Sequence, residues 1–270
     1  MDKKCKLYFA NRAISATFLL YWQIYDLHIS KKMTTFAQKL INSMRKIIGV
    51  VLCCAFFFAS MQIALAQTQT DWAGFNRYAQ ANEQLRKQNT DIAVVFYGNS
   101  ITQIWDELHP DFFLSHGFVG RGIGGQTSSE LLVRMRQDVI ELHPHTVVIM
   151  CGTNDIAQNN GLISLQHTLG NIISMCELAQ ANHIRPILCS PLPARSFYWN
   201  PAITDAPQKI LTLNQMIKQY AETHQITYVD YYSAMVNERG GLRGELSEDE
   251  VHPNDAGYQI MEPIILRVLQ

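Results

Sequence analysis

Residues with the side chains of a hydrolytic enzyme occur in two distant parts of the sequence: Ser100 in one, and Asp249 with His252 in the other. A serine hydroxyl becomes a nucleophile when a neighbouring base accepts its proton, and histidine is the commonest such base. Asp249 lies three residues before His252 in the same turn, so its carboxylate could accept a hydrogen bond from the ring and fix the tautomer. These residue types predict acyl transfer, in which Ser100 attacks a carbonyl carbon and His252 returns the proton to the leaving alcohol.

Acyl transfer also requires hydrogen-bond donors that stabilise the oxyanion of the tetrahedral intermediate. Three donors are candidates: the backbone N–H of Ser100, the backbone N–H of Gly125 and the side-chain amide of Asn154. Glycine at position 125 lets the main chain approach a substrate without an intervening Cβ. The sequence therefore predicts an oxyanion hole built from these three groups.

The elements that would position these residues are short apolar strands alternating with amphipathic helices. The strands lack a period-two pattern, which is typical of a parallel sheet buried on both faces, and right-handed crossovers then give a three-layer α/β/α domain. Each site residue follows a strand, and the carboxyl ends of parallel strands meet at one edge of the sheet, where ligands bind. The first predicted strand, 92–97, runs into Ser100. The later predicted strands are a short one from Gly117, then 146–150, 186–189 and 226–229.

Helices are predicted from apolar residues at helical intervals. Thr127 and Glu130 have the spacing of a capping box, which marks the start of one of them. Pro263 lies within the last helix and is expected to kink it. The predicted helices are 71–88, a short helix after Ser100 that ends at His109, one from Thr127 to about Leu142, 162–183, 207–224 and 255–269.

Residues 1–66 are predicted to be a leader, and residues 67–270 the catalytic domain. A basic run at 44–46, an apolar run at 47–65 and the sequence Ala64-Leu65-Ala66 are typical of a cleaved signal peptide at about 44–66, which predicts export to the periplasm or the medium. An uncleaved membrane anchor is the alternative, since the apolar run is almost long enough to span a bilayer. Met33 and Met44 are both possible start residues for the leader.

Charge and cysteine content exclude several classes of function. Residues 67–270 hold thirteen Lys and Arg against twenty-one Asp and Glu, so we expect neither nucleic-acid binding nor binding to anionic membranes, except through an uncleaved leader. The domain contains Cys151, Cys176 and Cys189, an odd number at wide spacing. We interpret them as small buried apolar residues, and neither as a disulfide framework nor as a metal site.

The sequence resembles the SGNH (GDSL-type) esterase and acylhydrolase superfamily from about residue 90 to its end. The resemblance implies a flavodoxin-like fold with five parallel strands and no cofactor or metal. It also implies that Ser100 is the nucleophile, that Asp249 and His252 complete the triad, and that Gly125 and Asn154 join Ser100 in the oxyanion hole. The resemblance is carried by four ordered blocks: Gly-Asn-Ser-Ile-Thr at 98–102, Gly-Gly-Gln-Thr at 124–127, Gly-Thr-Asn-Asp at 152–155 and Asp-Glu-Val-His-Pro at 249–253.

This sequence departs from the family pattern at three places. Asn99 replaces the usual acidic residue before the serine, and Arg121 or Gly122 stands where many members have asparagine. Glu250 replaces a common glycine beside Asp249. The additional carboxylate could raise the pKa of His252 or take the place of Asp249 on its ring.

The predicted function is hydrolysis of a carboxylic ester, with removal of a small acyl group, acetyl, from a carbohydrate. The loop 190–207 contains Phe197, Tyr198 and Trp199, which as exposed aromatics would stack on a sugar or an apolar acyl group, or would instead pack the loop on the domain. Arg195 is a candidate for binding a substrate oxygen or for a surface ion pair. A lysophospholipase or thioesterase remains the alternative, with a non-catalytic carbohydrate-binding module as a third. The expected partner is a small-molecule or glycan ester, and oligomeric state is left open.

Overall fold

The computed structural model describes residues 40–52 and 71–269 of the 270-residue chain. The chain divides into two units, Met1–Thr70 and Asp71–Gln270. In the first unit, residues 40–52 are helical and mostly exposed. The predicted cleavage site after Ala66, the domain boundary placed there and most of the apolar run lie outside the described residues. None of the helices in the described ranges is both long and apolar enough to span a membrane.

The second unit is built on a sheet of five parallel strands, as predicted. Strands β1 and β3 are completely buried, which explains why their sequences are continuous apolar runs. The strand order is β2-β1-β3-β4-β5, so the chain changes direction of winding between β1 and β3. The strands are β1 (Val94–Gly98), β2 (Phe118–Gly122), β3 (Thr146–Met150), β4 (Arg185–Cys189) and β5 (Thr227–Val229).

Helices cover both faces of the sheet and give the predicted three layers. Successive β1 side chains point to opposite faces: Val95 and Tyr97 enter one core cluster, while Val94 and Phe96 enter the other. Short 3₁₀ turns lie at Ile140–Leu142 and Gly244–Leu246. The helices of the second unit are α1 (Ala79–Lys87), α2 (Ser100–Leu108), α3 (Pro110–Ser115), α4 (Ser128–Asp138), α5 (Thr153–Ile156), α6 (Leu165–Ala181), α7 (Ala206–Thr223), α8 (Tyr232–Met235) and α9 (Asp255–Leu269).

The two cores divide these helices between the faces of the sheet. One core includes buried residues of α4, α6 and α7, and the other includes buried residues of α2, α8 and α9. The second core contains an aromatic cluster in which Phe96 contacts Trp105, Phe113 and Phe118 with ring centroids 5.2–5.3 Å apart. This cluster anchors α2 to the strand that precedes it.

The register of the three adjacent strands brings their carboxyl ends to the same level. Gly98 at the end of β1 lies opposite Gly122 of β2 and Met150 of β3. The segments after these strands therefore leave the sheet side by side. They carry Ser100, Gly125 and Asn154, so the sheet itself brings these three residues to one edge.

The first predicted helix is shorter than the sequence indicates. The interval of Trp72, Phe75 and Ala79 predicts a helix from Asp71, but the helix begins at Ala79. The Asp71 carboxylate accepts hydrogen bonds from the backbone N–H groups of Phe75 (2.8 Å) and Asn76 (2.7 Å), which closes a turn instead. Gly74 has φ +71°, a left-handed conformation that interrupts a helix.

Candidate active site

Ser100, His252 and Asp249 form a continuous hydrogen-bonded chain at the carboxyl edge of the sheet. The Ser100 hydroxyl lies 2.8 Å from Nε2 of His252, and Nδ1 of the same ring lies 2.6 Å from Oδ2 of Asp249. If Nδ1 donates its proton to the carboxylate, Nε2 is left as the acceptor that faces the hydroxyl. This arrangement is able to remove the serine proton during attack on a carbonyl carbon.

Helix α2 holds Ser100 at its first turn. Asn99 is the N-cap, and its side chain accepts a hydrogen bond from the backbone N–H of Ile101 at 3.2 Å. Ser100 is therefore free of the capping role that a serine after a strand often has. The hydroxyl of Tyr258 in α9 donates to the carbonyl of Ile101 at 2.8 Å, which ties α2 to the helix that follows His252.

The Asp249 carboxylate is held in place by hydrogen bonds from the backbone of its own turn. Its Oδ1 accepts hydrogen bonds from the backbone N–H groups of Val251 (2.9 Å) and His252 (2.7 Å), which leaves Oδ2 to the ring. Partial burial acts to raise the pKa of Asp249, but the hydrogen bonds from the His252 ring and the two backbone groups outweigh it, so the pKa is lowered. The carboxylate is thus held in its ionised, accepting form.

The predicted oxyanion donors converge on the same edge. Gly125 has φ +78°, and no protein acceptor for its N–H or for that of Ser100 is found among the described residues. The Asn154 side chain is 3 % exposed and donates one amide proton to the carbonyl of Gln126 at 2.9 Å. That bond fixes the orientation of the amide and leaves its second proton available. Gly124 lies beside Ser100, since a Cβ placed on it would be 3.8 Å from the serine Cβ.

Asp155, next to Asn154 in α5, is buried and accepts hydrogen bonds from two other segments. Its carboxylate accepts hydrogen bonds from the backbone N–H (2.9 Å) and the hydroxyl (2.5 Å) of Ser128 and from the Thr168 hydroxyl (3.3 Å). Burial raises the pKa of Asp155, while these hydrogen bonds act in the opposite direction. The contacts connect the loop after β3 to the start of α4.

The three cysteines of the domain, Cys151, Cys176 and Cys189, are buried, as predicted, and carry free thiols. Burial raises the pKa of the Cys176 thiol to about 12 and the pKa of Cys151 well above its usual range. A thiol that remains protonated is a poor nucleophile, so these residues act as apolar side chains. No group of three or more His, Cys, Asp or Glu side chains within residues 40–52 and 71–269 is placed to hold a metal ion.

A buried arginine that the sequence analysis missed connects the ends of two strands and one loop at the site. Arg134 of α4 is completely buried. One of its nitrogens, Nη2, donates to the carbonyls of Gly98 and Arg121, each at 3.0 Å, and Nε donates to Oε1 of Gln126 at 2.6 Å. Its charge is balanced by Asp138, which accepts from Nη1 at 2.8 Å. Arg134 thereby joins the ends of β1 and β2 to the loop that contains Gly125.

We expect Arg134→Met to lower the free energy of unfolding by about 3–5 kcal/mol, because Asp138 would keep its hydrogen bond from Asn82 but would be left buried without its charge partner. The carbonyls of Gly98 and Arg121 would also lose a donor. Urea unfolding followed by circular dichroism measures this difference. Arg136→Met is the matched control, since Arg136 lies in the same helix but is exposed; a loss at position 134 no larger than the loss at position 136 would contradict the prediction.

Glu250 does not take the place of Asp249. The His252 ring is bonded to Asp249, while the Glu250 side chain is exposed. Glu250 has φ +65°, in the left-handed region that glycine adopts at low cost. The glycine common at this position in the family thus has a conformational explanation, and the glutamate carries backbone strain.

We expect Glu250→Gly to raise the free energy of unfolding by about 0.5–1 kcal/mol, because relief of the left-handed strain exceeds the entropy that glycine adds to the unfolded chain. Ester hydrolysis should be unaffected, since the side chain is exposed and does not contact the ring. Thermal unfolding compares this variant with Glu250→Ala, which removes the carboxylate but keeps the Cβ. Equal stabilisation by both variants would assign the effect to charge rather than to backbone conformation.

The aromatic residues of the loop 190–207 differ in position. Of the two alternatives for these rings, Phe197 shows the second: it is completely buried and packs the loop on the domain, so it is not available as a substrate-binding residue. Tyr198 is 71 % exposed. Trp199 is 37 % exposed, and its ring centroid lies 6.4 Å from that of His252. Arg195 is exposed, and its Cβ faces Gly241. Trp199 is the candidate whose ring lies beside that of His252.

Two residues that the sequence analysis missed fix the loop that contains Gly125, and one of them, Asn159, connects that loop to Trp199. Asn159 donates from Nδ2 to the carbonyl of Gly125 at 3.0 Å and accepts from the Trp199 indole N–H at 2.8 Å. Gln126 accepts from Asn154 through its carbonyl and donates from its side chain to the carbonyl of Ala73 at 2.7 Å. Gln126 lies within a family block, so its sequence position was a usable signal, whereas Asn159 lies outside the blocks.

Comparisons with known proteins identify the family and the fold. Residues 96–260 match the model of the GDSL-like lipase/acylhydrolase family. A solved structure from Bacteroides fragilis NCTC 9343, provisionally named an acylhydrolase, is 51 % identical in sequence and superposes with a TM-score of 0.72. It is covered over 98 % of its length by 74 % of this chain. Fold and family together define a carboxylic ester hydrolase.

The chain belongs to the GDSL-like lipase/acylhydrolase family. It is 27 % identical over 125 residues to the uncharacterized lipoprotein YqeF of Bacillus subtilis (strain 168), spanning 42 % of that protein with 45 % of this chain. It is also 27 % identical over 153 residues to an acetylxylan esterase of Geobacillus stearothermophilus, over 70 % of that protein and 55 % of this chain. The predicted family, fold and enzyme class are therefore confirmed.

Proposed function

We propose that this chain is an exported serine esterase that removes acetyl groups from a carbohydrate, with Ser100 as nucleophile, His252 as general base and acid, and Asp249 as the residue that orients His252. The observation that carries the proposal is the unbroken chain of contacts, 2.8 Å from Ser100 to His252 and 2.6 Å from His252 to Asp249. Nucleophile, base and orienting acid at hydrogen-bond distance are the requirements of acyl transfer by serine.

In the acylation step, Oγ of Ser100 forms a bond to the carbonyl carbon of the ester while its proton moves to Nε2 of His252. The carbonyl oxygen becomes an oxyanion that accepts hydrogen bonds from the N–H groups of Ser100 and Gly125 and from the Asn154 amide. The bond to the alcohol then breaks, and Nε2 gives its proton to the departing oxygen. This leaves the acyl group on Ser100 and the imidazole neutral.

The second half of the reaction repeats these steps with water. Water attacks the acyl carbon while His252 accepts its proton, and the same donors stabilise the second oxyanion. The bond from carbon to Oγ breaks, Ser100 recovers its proton from Nε2, and the carboxylic acid leaves. Asp249 stays ionised in this scheme, since the hydrogen bonds from the His252 ring and from the backbone N–H groups of Val251 and His252 lower its pKa.

The carbohydrate part of the proposal rests on the acidic domain and on one relative. Residues 67–270 carry an excess of acidic over basic residues, which disfavours anionic lipids and phosphorylated substrates. The Geobacillus stearothermophilus relative is an acetylxylan esterase, and its similarity extends over 55 % of this chain. An O-acetylated polysaccharide is a neutral substrate that fits both observations.

The serine mechanism is tested with a fluorophosphonate probe, which should label Ser100 stoichiometrically and abolish hydrolysis. Peptide mapping by mass spectrometry locates the label. Ser115→Ala should be labelled like wild type, because that serine lies in α3 and is not bonded to His252. A native chain that is not labelled at all would favour a non-catalytic carbohydrate-binding module, and labelling at another serine would remove the proposed nucleophile.

Substrate class is tested with p-nitrophenyl esters of increasing acyl length and with acetate release from acetylated xylan. We expect kcat/KM to be highest for acetate, to fall with each longer chain, and acetate to be released from the polysaccharide. A maximum at octanoate or palmitate would instead support the lysophospholipase or thioesterase alternative.

Export is proposed from the basic and apolar pattern at residues 44–66. Amino-terminal sequencing of protein recovered outside the cytoplasm should begin at Gln67. Recovery of the whole chain in the membrane fraction would support the uncleaved anchor instead.

A further inference from the structure

An open groove of about 620 Å³ lies along the loop that follows β2. Gly124 and Gly125 line it, and Gly124 lies beside Ser100. Trp199 lines it as well and lies against His252, with ring centroids 6.4 Å apart. The groove therefore lies next to the reacting groups, and a sugar or a long acyl chain of an ester has room to occupy it.

Two tryptophans line this groove. Trp72 is 57 % exposed and Trp199 is 37 % exposed. Trp199 is held by its hydrogen bond to Asn159, which in turn donates to the carbonyl of Gly125. Trp72 follows Asp71, whose carboxylate closes the turn that contains Gly74. Large indole faces that are exposed yet held by such contacts are suited to packing against the C–H face of a sugar ring.

The remaining lining is mainly polar, and two of its side chains, those of Gln158 and Asn200, have unused hydrogen-bonding capacity. The side chain of Gln158 makes no hydrogen bond within the described residues, and Asn200 uses one amide proton, donated to the carbonyl of Ala157 at 2.9 Å. A long acyl chain would strip water from these groups and return no hydrogen bonds. Hydroxyl groups would donate to and accept from them. The polar lining residues are Asp71, Gln126, Glu130, Gln158, Asn159 and Asn200.

We propose that this groove binds the alcohol part of the substrate, that this part is a neutral sugar of one or two pyranose units, and that one sugar ring stacks on Trp72. The acyl group then remains at Ser100, and the sugar oxygen that leaves faces His252. The inference rests on the proposed function, since it assigns a position to the carbohydrate of that reaction. It adds a binding residue, Trp72, that precedes the first strand and lies outside every block of the family motif.

The test compares O-acetylated xylobiose with ethyl acetate, which has no sugar, as substrates of the full chain. We expect Trp72→Ala to lower the ratio of kcat/KM for the glycan ester to kcat/KM for ethyl acetate by at least about tenfold. Trp72→Phe, which keeps an aromatic face, should recover part of the ratio. Phe75→Ala is the matched control, because Phe75 is an exposed aromatic of the same turn that does not line the groove.

An unchanged ratio in Trp72→Ala would overturn the proposal. This includes the case in which kcat/KM falls equally for both substrates, which would reflect damage to the triad. Binding of xylobiose, followed by the tryptophan fluorescence of wild type and Trp72→Ala, tests the groove independently of chemistry. If wild type hydrolyses neither ester but binds xylobiose through Trp72, the proposed function fails and the groove assignment stands. If it hydrolyses ethyl acetate but neither binds nor prefers the sugar, the groove assignment fails and the esterase stands.

Discussion

Ser100→Ala is expected to lower kcat for ester hydrolysis by about 10⁴-fold or more, because the attacking oxygen is lost and only the oxyanion donors remain. Ser100 lies at the first turn of α2, where Asn99 supplies the cap, so alanine should not disturb the helix. The free energy of unfolding is therefore expected to stay close to that of wild type. Steady-state hydrolysis of p-nitrophenyl acetate and urea unfolding of the same preparation measure the two quantities.

The matched control for this substitution is Ser115→Ala, which removes a hydroxyl at the end of α3. It should retain full activity. A Ser100→Ala protein that retains activity within about tenfold of wild type would show that another group attacks the ester. A protein that loses both activity and stability would show instead that the hydroxyl has a structural role.

Asp249→Asn is expected to lower kcat by about 10²- to 10⁴-fold through the tautomer of His252. The backbone N–H groups of Val251 and His252 both donate to Oδ1, so an asparagine oxygen is held at that position and the amide nitrogen faces the ring. An amide N–H can only donate, which forces Nδ1 to accept and places the ring proton on Nε2. The ring would then be unable to accept the Ser100 proton.

Two variants control for the loss of a carboxylate near the triad. Glu248→Gln and Glu250→Gln remove exposed acids on either side of Asp249 and should retain activity. Equal losses in all three variants would assign the effect to the charge of the loop and not to the orientation of the ring.

The lowered pKa of Asp249 also predicts the shape of the pH profile of wild type. Since the folded pKa lies below that of the unfolded chain, about 3.9, the stability that the ionised form contributes is complete above pH 3.9 and is lost as the pH falls through the folded value. Ionisation of Asp249 should therefore make no contribution to the pH profile of kcat/KM above about pH 5. A limb that requires two protons above pH 5 would show that Asp249 titrates as well.

Much of the fold could be predicted from the sequence because the strands are buried on both faces. Continuous apolar runs such as 146–150 have few other interpretations when they alternate with helical patterns. The site residues could be predicted because each follows a strand, and parallel strands deliver their carboxyl ends to one edge. What the pattern left undetermined is the contact between atoms, such as the choice between Asp249 and Glu250 as partner of the ring.

Contacts between distant segments could not be read from local patterns. Arg134 occurs among the apolar residues of α4, and its complete burial depends on acceptors supplied by Gly98, Arg121 and Gln126. The turn at Asp71 depends on hydrogen bonds of its carboxylate that compete with the helix its apolar spacing predicts. Phe197 and Trp199 have the same residue class and nearly the same position, and only packing decides which ring is buried.

The hydrogen bond between Ser100 and His252 joins residues 152 positions apart, and the bond from Tyr258 to the carbonyl of Ile101 spans 157. A ribosome must therefore release nearly the entire domain before the two halves of the triad can meet, and contacts of such sequence separation form late and slowly. Catalytic competence should consequently appear only when the final helix docks. The rate at which hydrolytic activity returns during refolding would then measure the rate of that last step, independently of any spectroscopic signal from the sheet.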